Sequence, residues 1–489
     1  MKLLSAKIPS TVAALSFASI LAGCTVGPDY IKPTAPTSAA FKERKGWHVA
    51  RPGDELDRGT WWRVFKDPEL DALMAQVNIT NQNVIAAAAA YQQAVAVIRE
   101  NQASLFPTVS ASYTVTGTHN GSAVSGTGVS QTHVTFNPNA NGTWDLDVWG
   151  RIRRTVESNA AGAQVSAADL ANAKLSAQGA LATAYYNLRA AESLKILFDR
   201  TARDYERTWK ITENQYNSGT ASRGDVATAK AQWQTVQAQA IGTEVQRAQF
   251  EHAIAVLIGR APSELSIKRS ALPSWVPDVP PTIPSALLER RPDIAAAERL
   301  LQENNALIGV QVASFYPDIS LTGSFGFIGA NPLPITAAHE AWTVAAAATQ
   351  TIFDGGLRSA EVESAKATFE QSVANYRQTV LTAFQQVEDE LVALRVLPVE
   401  LRKQNEAVAS AREAVDVDLK QYQIGTVAFT VVVTAQAIQL TDEETALSIR
   451  QSQFLADVAL IQALGGGWDK AALPSLDSLA KVPTWTPPL

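Results

Sequence analysis

One supersecondary unit occurs twice in this 489-residue chain, and the duplication restricts the fold more than any single residue does. Ser104-Leu-Phe-Pro107 matches Ser314-Phe-Tyr-Pro317 at an offset of 210, and Tyr216-Asn-Ser-Gly219-Thr220 matches Tyr422-Gln-Ile-Gly425-Thr426 at an offset of 206. Self-similarity at a nearly constant spacing means one architecture built twice. Within each half the hydrophobic period passes from helical to alternating and back, an unusual order for a soluble enzyme.

The alternating segments predict four strands. In the first, Val109, Ala111, Tyr113 and Val115 oppose Ser110, Ser112, Thr114 and Thr116; in the second, running from Val134 to Val148, Phe136, Ala140, Trp144 and Leu146 oppose Asn137, Asn139, Asn141 and Asp145. The second half repeats the device. Ile319, Leu321, Phe325 and Phe327 oppose Ser320, Thr322 and Ser324, and the sequence from Trp342 to Ile352 alternates likewise. Each strand has one apolar and one wet face, and about 9–11 tilted residues suffice to cross a bilayer. A Gly/Ser/Thr-rich loop is expected over Gly117 to Gln131, and Pro107, Pro317, Gly150 and Gly355 mark the junctions between strands and helices.

A long helical run follows each strand pair. Arg151 to Ser218 contains no proline and stops at Gly219; Leu357 to Ile424 contains only Pro398 and stops at Gly425. Unbroken, each would reach roughly 100 Å, a length that no compact domain needs. Phe369, Val373, Tyr376, Val380, Ala383 and Val387 step by four and three, as do Val226, Ala229, Trp233, Val236 and Ala240 in a returning helix. Ordinary core stripes share that spacing but not the length. A further helical pattern runs from Pro68 to about Leu105, six prolines from Pro262 to Pro284 separate the halves, and Gly465-Gly-Gly-Trp468 reads as a helix stop.

The N-terminus is an address label. Lys2 and Lys7 precede an apolar stretch from Ile8 to Ile20, and Leu21-Ala-Gly-Cys24 resembles the lipobox of bacterial lipoproteins, in which the thiol is acylated after cleavage before the cysteine. Cys24 is the only cysteine, so an intramolecular disulfide is excluded. Thr25 stands where an aspartate would resemble an inner-membrane retention signal, which favours the outer membrane. Residues 25 to 58 read as an extended tether or packed strap, and no later window is apolar enough for a spanning helix. The net charge of -6 gives no reason to expect nucleic acid.

Four strands cannot close a barrel, and an open edge in lipid leaves backbone groups unsatisfied. Two copies would supply eight strands around an interior filled by side chains; three would supply twelve and leave a lumen. Both hairpins return the chain to the side it came from, so all the long helices hang on one side of the membrane. A lipidated N-terminus makes that side the periplasm.

Several motifs now occur in order: the lipobox, Trp61-Trp62-Arg-Val-Phe65-Lys-Asp67-Pro68, Leu146-Asp-Val-Trp-Gly150-Arg-Ile-Arg153, Arg291-Pro292-Asp293-Ile294 and the Tyr-x-x-Gly-Thr turns at Tyr216 and Tyr422. Together they resemble the outer membrane factors of tripartite efflux systems, the OprM and NodT branch of the TolC superfamily. The resemblance implies a mixed fold, a membrane β-barrel joined to a long α-helical barrel. The homotrimer would be internally duplicated, each chain giving four strands to a twelve-stranded barrel. It implies a passive, non-enzymatic exit duct for small toxic or amphipathic compounds, docked by a periplasmic adaptor and driven by an inner-membrane pump of the resistance-nodulation-division class. The outer component of type I protein secretion shares the architecture; a self-standing porin is a further alternative.

On this reading, residues 1–23 are a signal peptide and 24–67 a lipidated tether. The first repeat occupies 68–283, with strands about 106–148 and long helices about 151–259; the second occupies 284–468, with strands about 316–353 and helices about 357–464; 469–489 form a tail. In the family the periplasmic tip closes like an iris, with carboxylates from the second-half turn forming a ring. Val431 and Thr434 occupy those positions here, and Val427 replaces an arginine latch. Val and Thr neither repel one another nor attract cations, so the expected constriction is apolar, built from Thr430, Val431 and Thr434 beside Tyr422. Asp225 in the first-half turn is either a helix-cap acid or a tip contact. His48, His119, His133, His252 and His339 are scattered without ligand spacing, so no metal site and no cofactor beyond the lipid on Cys24 is expected.

Overall fold

The computed structural model describes residues 25–36, 41–44, 60–126, 128–277 and 290–481; Cys24, His48 and three connector prolines (Pro280, Pro281 and Pro284) lie outside the described residues. Helices α1 (Pro68–Thr80) and α2 (Gln82–Ala103) lead into strands β1 (Thr108–Asn120) and β2 (Gln131–Leu146), then α3 (Arg151–Asn217) and α4 (Arg223–Leu257). The second half runs α5 (Pro292–Ala313), β3 (Asp318–Phe327), β4 (Glu340–Thr349), α6 (Leu357–Gln423) and α7 (Phe429–Ala463), with a short α8 (Leu476–Ala480) in the tail. The halves match in helix length: α2 and α5 have 22 residues, α3 and α6 have 67, and α4 and α7 have 35. Equal lengths keep equivalent turns at equal heights.

The four strands form one antiparallel sheet in the order β1-β2-β3-β4. Its register pairs like with like. Ser110, Ser112 and Thr114 face Asn141, Asn139 and Asn137 across β1 and β2, while Trp144 faces Leu321, which faces Ala346. A slip of one residue would mix the two faces on every strand, so the alternation itself pins the register. Nothing among the described residues pairs with the outer edges of β1 and β4.

The helices form a curved layer with the same kind of open edges. α3 packs on α2, α4, α5 and α7, and α6 packs on α5 and α7. The short helices stack end to end. Thr80 Oγ1 donates to the carbonyl of Ile258, and Asn81 Nδ2 to that of Leu257, joining α2 to the end of α4; Arg291 Nη1 donates to the carbonyl of Ala463, joining α5 to the end of α7. The layer therefore reads α2/α4, α3, α5/α7, α6. Tyr376, Val380, Ala383 and Val387 of the expected stripe are buried, as are Ala229, Val236 and Ala240.

Four expectations on element bounds are corrected. The helical pattern from Pro68 to Leu105 is broken at Asn81, whose extended backbone (ψ 121°) and side-chain oxygen cap α2 through the amides of Asn83 and Val84. β2 ends at Leu146, not Val148, because Asp147 turns back to accept from the amides of Ile152 and Arg153. β4 ends at Thr349, short of Ile352. β1 extends to Asn120, which pairs with Gln131, so the loop between them is shorter than Gly117 to Gln131. Pro398, by contrast, leaves α6 unbroken.

The main core lies around the level where the short helices meet. Trp61, Phe65, Leu181, Tyr186, Phe454 and Ile461 belong to it, with Tyr186 stacked on Phe454 at 4.6 Å. Each large side chain fully buried there contributes about 1.5–3 kcal/mol. The Trp61 motif holds this centre together: Trp61 Nε1 donates to Gln178 Oε1 (2.9 Å), and Asp67 caps α1 while accepting from the Tyr185 hydroxyl (2.6 Å). An ionic network beside it clamps the proline-rich connector. Arg189 pairs with Glu69 and Glu192, Arg247 with Glu192 and Glu251, and both arginines donate to connector carbonyls, at Lys268 and Ile267 respectively.

Residues 25–36 and 41–44 form a packed strap, not a free tether. Arg154 holds Asp29, Asn305 donates to the Pro28 carbonyl, and Glu388 of α6 accepts from the amides of Lys42 and Glu43. Strap and tail converge on the buried Glu298 of α5, which pairs with Lys32 at 2.9 Å and Lys470 at 2.8 Å. Burial opposes ionisation of Glu298, but the Lys470 and Lys32 ion pairs outweigh it and hold its carboxyl below the usual carboxylate range. No helix among the described residues is long and apolar enough to cross a membrane.

Candidate functional site

The two ends of the helical layer carry the functional geometry. At the strand end, Pro107 and Pro317 directly precede β1 and β3. Trp144 Nε1 donates to the carbonyl of Leu105, and Trp149, stacked on Tyr316 at 4.7 Å, donates to the carbonyl of Pro317. The exit from each hairpin is a duplicated clamp: Asp147 pairs with Arg153 at 3.1 Å, and Asp354 with Arg358 at 2.5 Å. Asp354 and Arg358 were not singled out from sequence, although an acid and an arginine flank the start of both long helices. Gly150 caps α3; its counterpart at α6 is Gly356, one residue beyond the expected Gly355. A side chain at Gly150 would collide with Thr25, whose Cγ2 lies 2.7 Å from the position a Cβ would occupy.

At the far end the two turns begin identically. Gly219 (φ 80°) and Gly425 (φ 77°) adopt the left-handed conformation that ends a helix. Thr220 donates its amide and hydroxyl to the Gln215 carbonyl, and Thr426 does the same to Gln421. They then diverge. Ser222 and Asp225 form a reciprocal capping box at the start of α4, both bonds at 3.1 Å, so within the chain Asp225 acts as a helix-cap acid. α7 has no side-chain cap, because Ala428 stands at the Ser222 position and Val431 at that of Asp225. In its place, Phe429 and Val432 are buried with Tyr422, the Tyr422 and Phe429 rings 5.1 Å apart. Tyr216, the first-half counterpart of Tyr422, is 44% exposed.

Thr430, Val431 and Thr434 point away from this cluster and are exposed on the chain; the Thr434 hydroxyl donates back to the Thr430 carbonyl. The apolar packing inside the chain thus belongs to Phe429 and Val432, which sequence reasoning did not select, although Phe429 opens α7 where Arg223 opens α4.

Polar contacts also join the halves along α3 and α7. Arg200 and Arg412 both pair with the buried Glu443, Gln436 Nε2 donates to Thr208 Oγ1 (2.9 Å), and the Tyr205 hydroxyl donates to the Gln436 carbonyl (3.0 Å). Within the first half the seam is apolar instead, with Trp209 stacked on Trp233 at 5.0 Å. No His/Cys/Asp/Glu cluster among the described residues has the geometry of a metal site.

An amphipathic sheet continued by paired helices of roughly 100 Å is a segment of channel wall. The chain belongs to the outer membrane efflux protein family, whose sequence model matches residues 73–260 and 283–466. It is 29% identical to the toluene efflux pump outer membrane protein TtgC of Pseudomonas putida, over 92% of this chain and 94% of that one. It is 28% identical to the outer membrane protein OprJ of Pseudomonas aeruginosa, over 94% and 96% respectively. The solved structure of the outer-membrane channel OprN superposes with a TM-score of 0.85 at 28% identity, covering 91% of this chain and all of that one.

Proposed function

We propose that the protein is the outer-membrane exit duct of a tripartite efflux system, passing small toxic or amphipathic compounds from the periplasm or the pump to the outside of a Gram-negative cell. The observation that carries this reading is the alignment of open edges. Among the described residues, β1 and β4 end the sheet unpaired, and α2/α4 and α6 end the helical layer below it. One symmetry operation would satisfy both sets of edges. Three copies give twelve strands and a lumen lined by the Asn, Ser and Thr face, whereas two would leave an interior filled by side chains.

Family membership favours a periplasmic adaptor and an inner-membrane pump of the resistance-nodulation-division class as partners. The lipid on Cys24 fits the strap, since Thr25, the next residue, rests against Gly150 where sheet meets helix. An acyl chain attached there would enter the leaflet at the foot of the barrel. The apolar constriction of Thr430, Val431 and Thr434 is part of the same proposal.

Reconstituted alone in liposomes, the protein should be mostly closed, and pull-downs from membranes should recover an adaptor and a pump. A freely open pore that recovers neither, with sugar or ion uptake lost on deletion, overturns the duct in favour of a porin. Loss of a secreted protein, with unchanged sensitivity to toxic compounds, would place the chain in type I secretion.

A further inference from the structure

A cavity of about 320 Å³ lies between α3, α6, the end of α7 and Arg291. Its polar wall includes Asn172, Gln386, Glu390 and Gln462; Leu175 and Ala459 supply hydrocarbon. Among the described residues, the only cation in the wall is already committed. Arg291 donates twice to Asp293 (3.0 and 2.6 Å), once to Gln386 (2.9 Å) and once to the Ala463 carbonyl (2.9 Å), so it and Asp293 cancel in charge.

Glu390 is left over. It is half-buried and has no hydrogen bond or ion pair among the described residues. Glu298 and Glu443, the more deeply buried carboxylates of α5 and α7, each hold two cations. Burial, followed by repulsion from neighbouring Asp389, pushes the Glu390 carboxyl above its ordinary range. A cation bound beside it would favour the ionised carboxylate and so oppose both effects.

We propose that this cavity binds a small organic ammonium ion, its charge against Glu390, its N–H groups shared with the amide oxygens of Asn172 and Gln462, and its hydrocarbon on Leu175 and Ala459. A hard metal ion is a poor match. Calcium takes six to eight oxygen ligands and magnesium demands near-octahedral oxygen geometry, whereas the wall offers one carboxylate and a few amides. An ammonium on an alkyl chain needs only one carboxylate and an apolar wall, and the volume is at the lower end of ligand cavities, roughly 300–1,000 Å³. Binding in this cavity is read on the isolated protein, so it stands or falls independently of the duct.

The test is calorimetric titration of the full-length protein in detergent with hexylammonium at neutral pH, after subtraction of binding to empty micelles. Hexanol serves as the uncharged probe. Wild type should bind hexylammonium at least about tenfold more tightly than hexanol, and Glu390→Gln should weaken hexylammonium by at least about tenfold. Ala459→Phe, which fills the cavity without changing charge, should abolish binding and decides the matter if Glu390→Gln does not fold. Equal affinity in wild type and Glu390→Gln, hexanol binding as tight as the amine, or undiminished binding to Ala459→Phe overturns the site, as does no binding by wild type up to about 10 mM.

Discussion

The two far-end turns share a backbone and differ in what holds it. The first is closed by hydrogen bonds, with Ser222 and Asp225 satisfying each other at the head of α4. The second has exchanged that cap for Phe429 and Val432 packed against Tyr422. A cap is local and survives when neighbouring helices part, whereas the apolar cluster depends on α6 and α7 staying together and on Ala229 of α4 and Trp209 of α3 packed with them. The second turn is therefore the one whose order responds to helix separation, and the polar bonds from Arg200, Tyr205 and Thr208 tie that helix pair to α3.

Substitution can break this contrast. Phe429→Ala should have the largest effect, about 3 kcal/mol of local stability, read as accelerated amide hydrogen exchange over residues 422–433 with the first turn unchanged. Equal acceleration at both turns would show that they are coupled. Glu298→Gln, remote from both, should cost about 2 kcal/mol and release strap and tail while leaving the turns as they were. Because folding depresses the Glu298 pKa, its contribution is complete above the unfolded value of about 4.3 and fades as pH falls through the lower folded value. The Gln variant should lose that part of the acid sensitivity of thermal unfolding.

Ser222→Ala should cost about 1 kcal/mol and accelerate exchange only at the first turn. Val431→Asp changes stability least, by a few tenths of a kcal/mol at an exposed position, yet should introduce block of single-channel conductance by low concentrations of multivalent cations. Strong block in wild type would remove the case for an apolar constriction.

Much of this was legible before any coordinates. The alternation in β1 to β4 survives in the register because each face has a different solvent, and the long helices could be read from the absence of breakers between Arg151 and Gly219. Asn81 was missed because a single capping residue inside an apolar run resembles any surface asparagine; its meaning lies in its bond to the Leu257 carbonyl, 176 positions away. Asp147 continues the alternation and so reads as a strand residue, and only the amides of Ile152 and Arg153 reveal it as a turn. At the second turn, Val431 drew attention as a missing acid, whereas helix phase turns Phe429 and Val432 inward and leaves Val431 out.

Sequence by itself determined the period, the punctuation and the duplication, because backbone geometry ties each to local residue choice: two per repeat in strands, about 3.6 in helices, glycine where φ is positive. Tertiary structure alone decided which carboxylates are paired and which, Glu390 among them, are left over. Glu298 meets lysines from both ends of the chain, Glu443 meets arginines from both halves, and Glu390 faces a cavity whose arginine, Arg291, is already paired with Asp293. Charge pairing acts through space over a few ångströms, and residues hundreds of positions apart in sequence become neighbours only when the helices have packed.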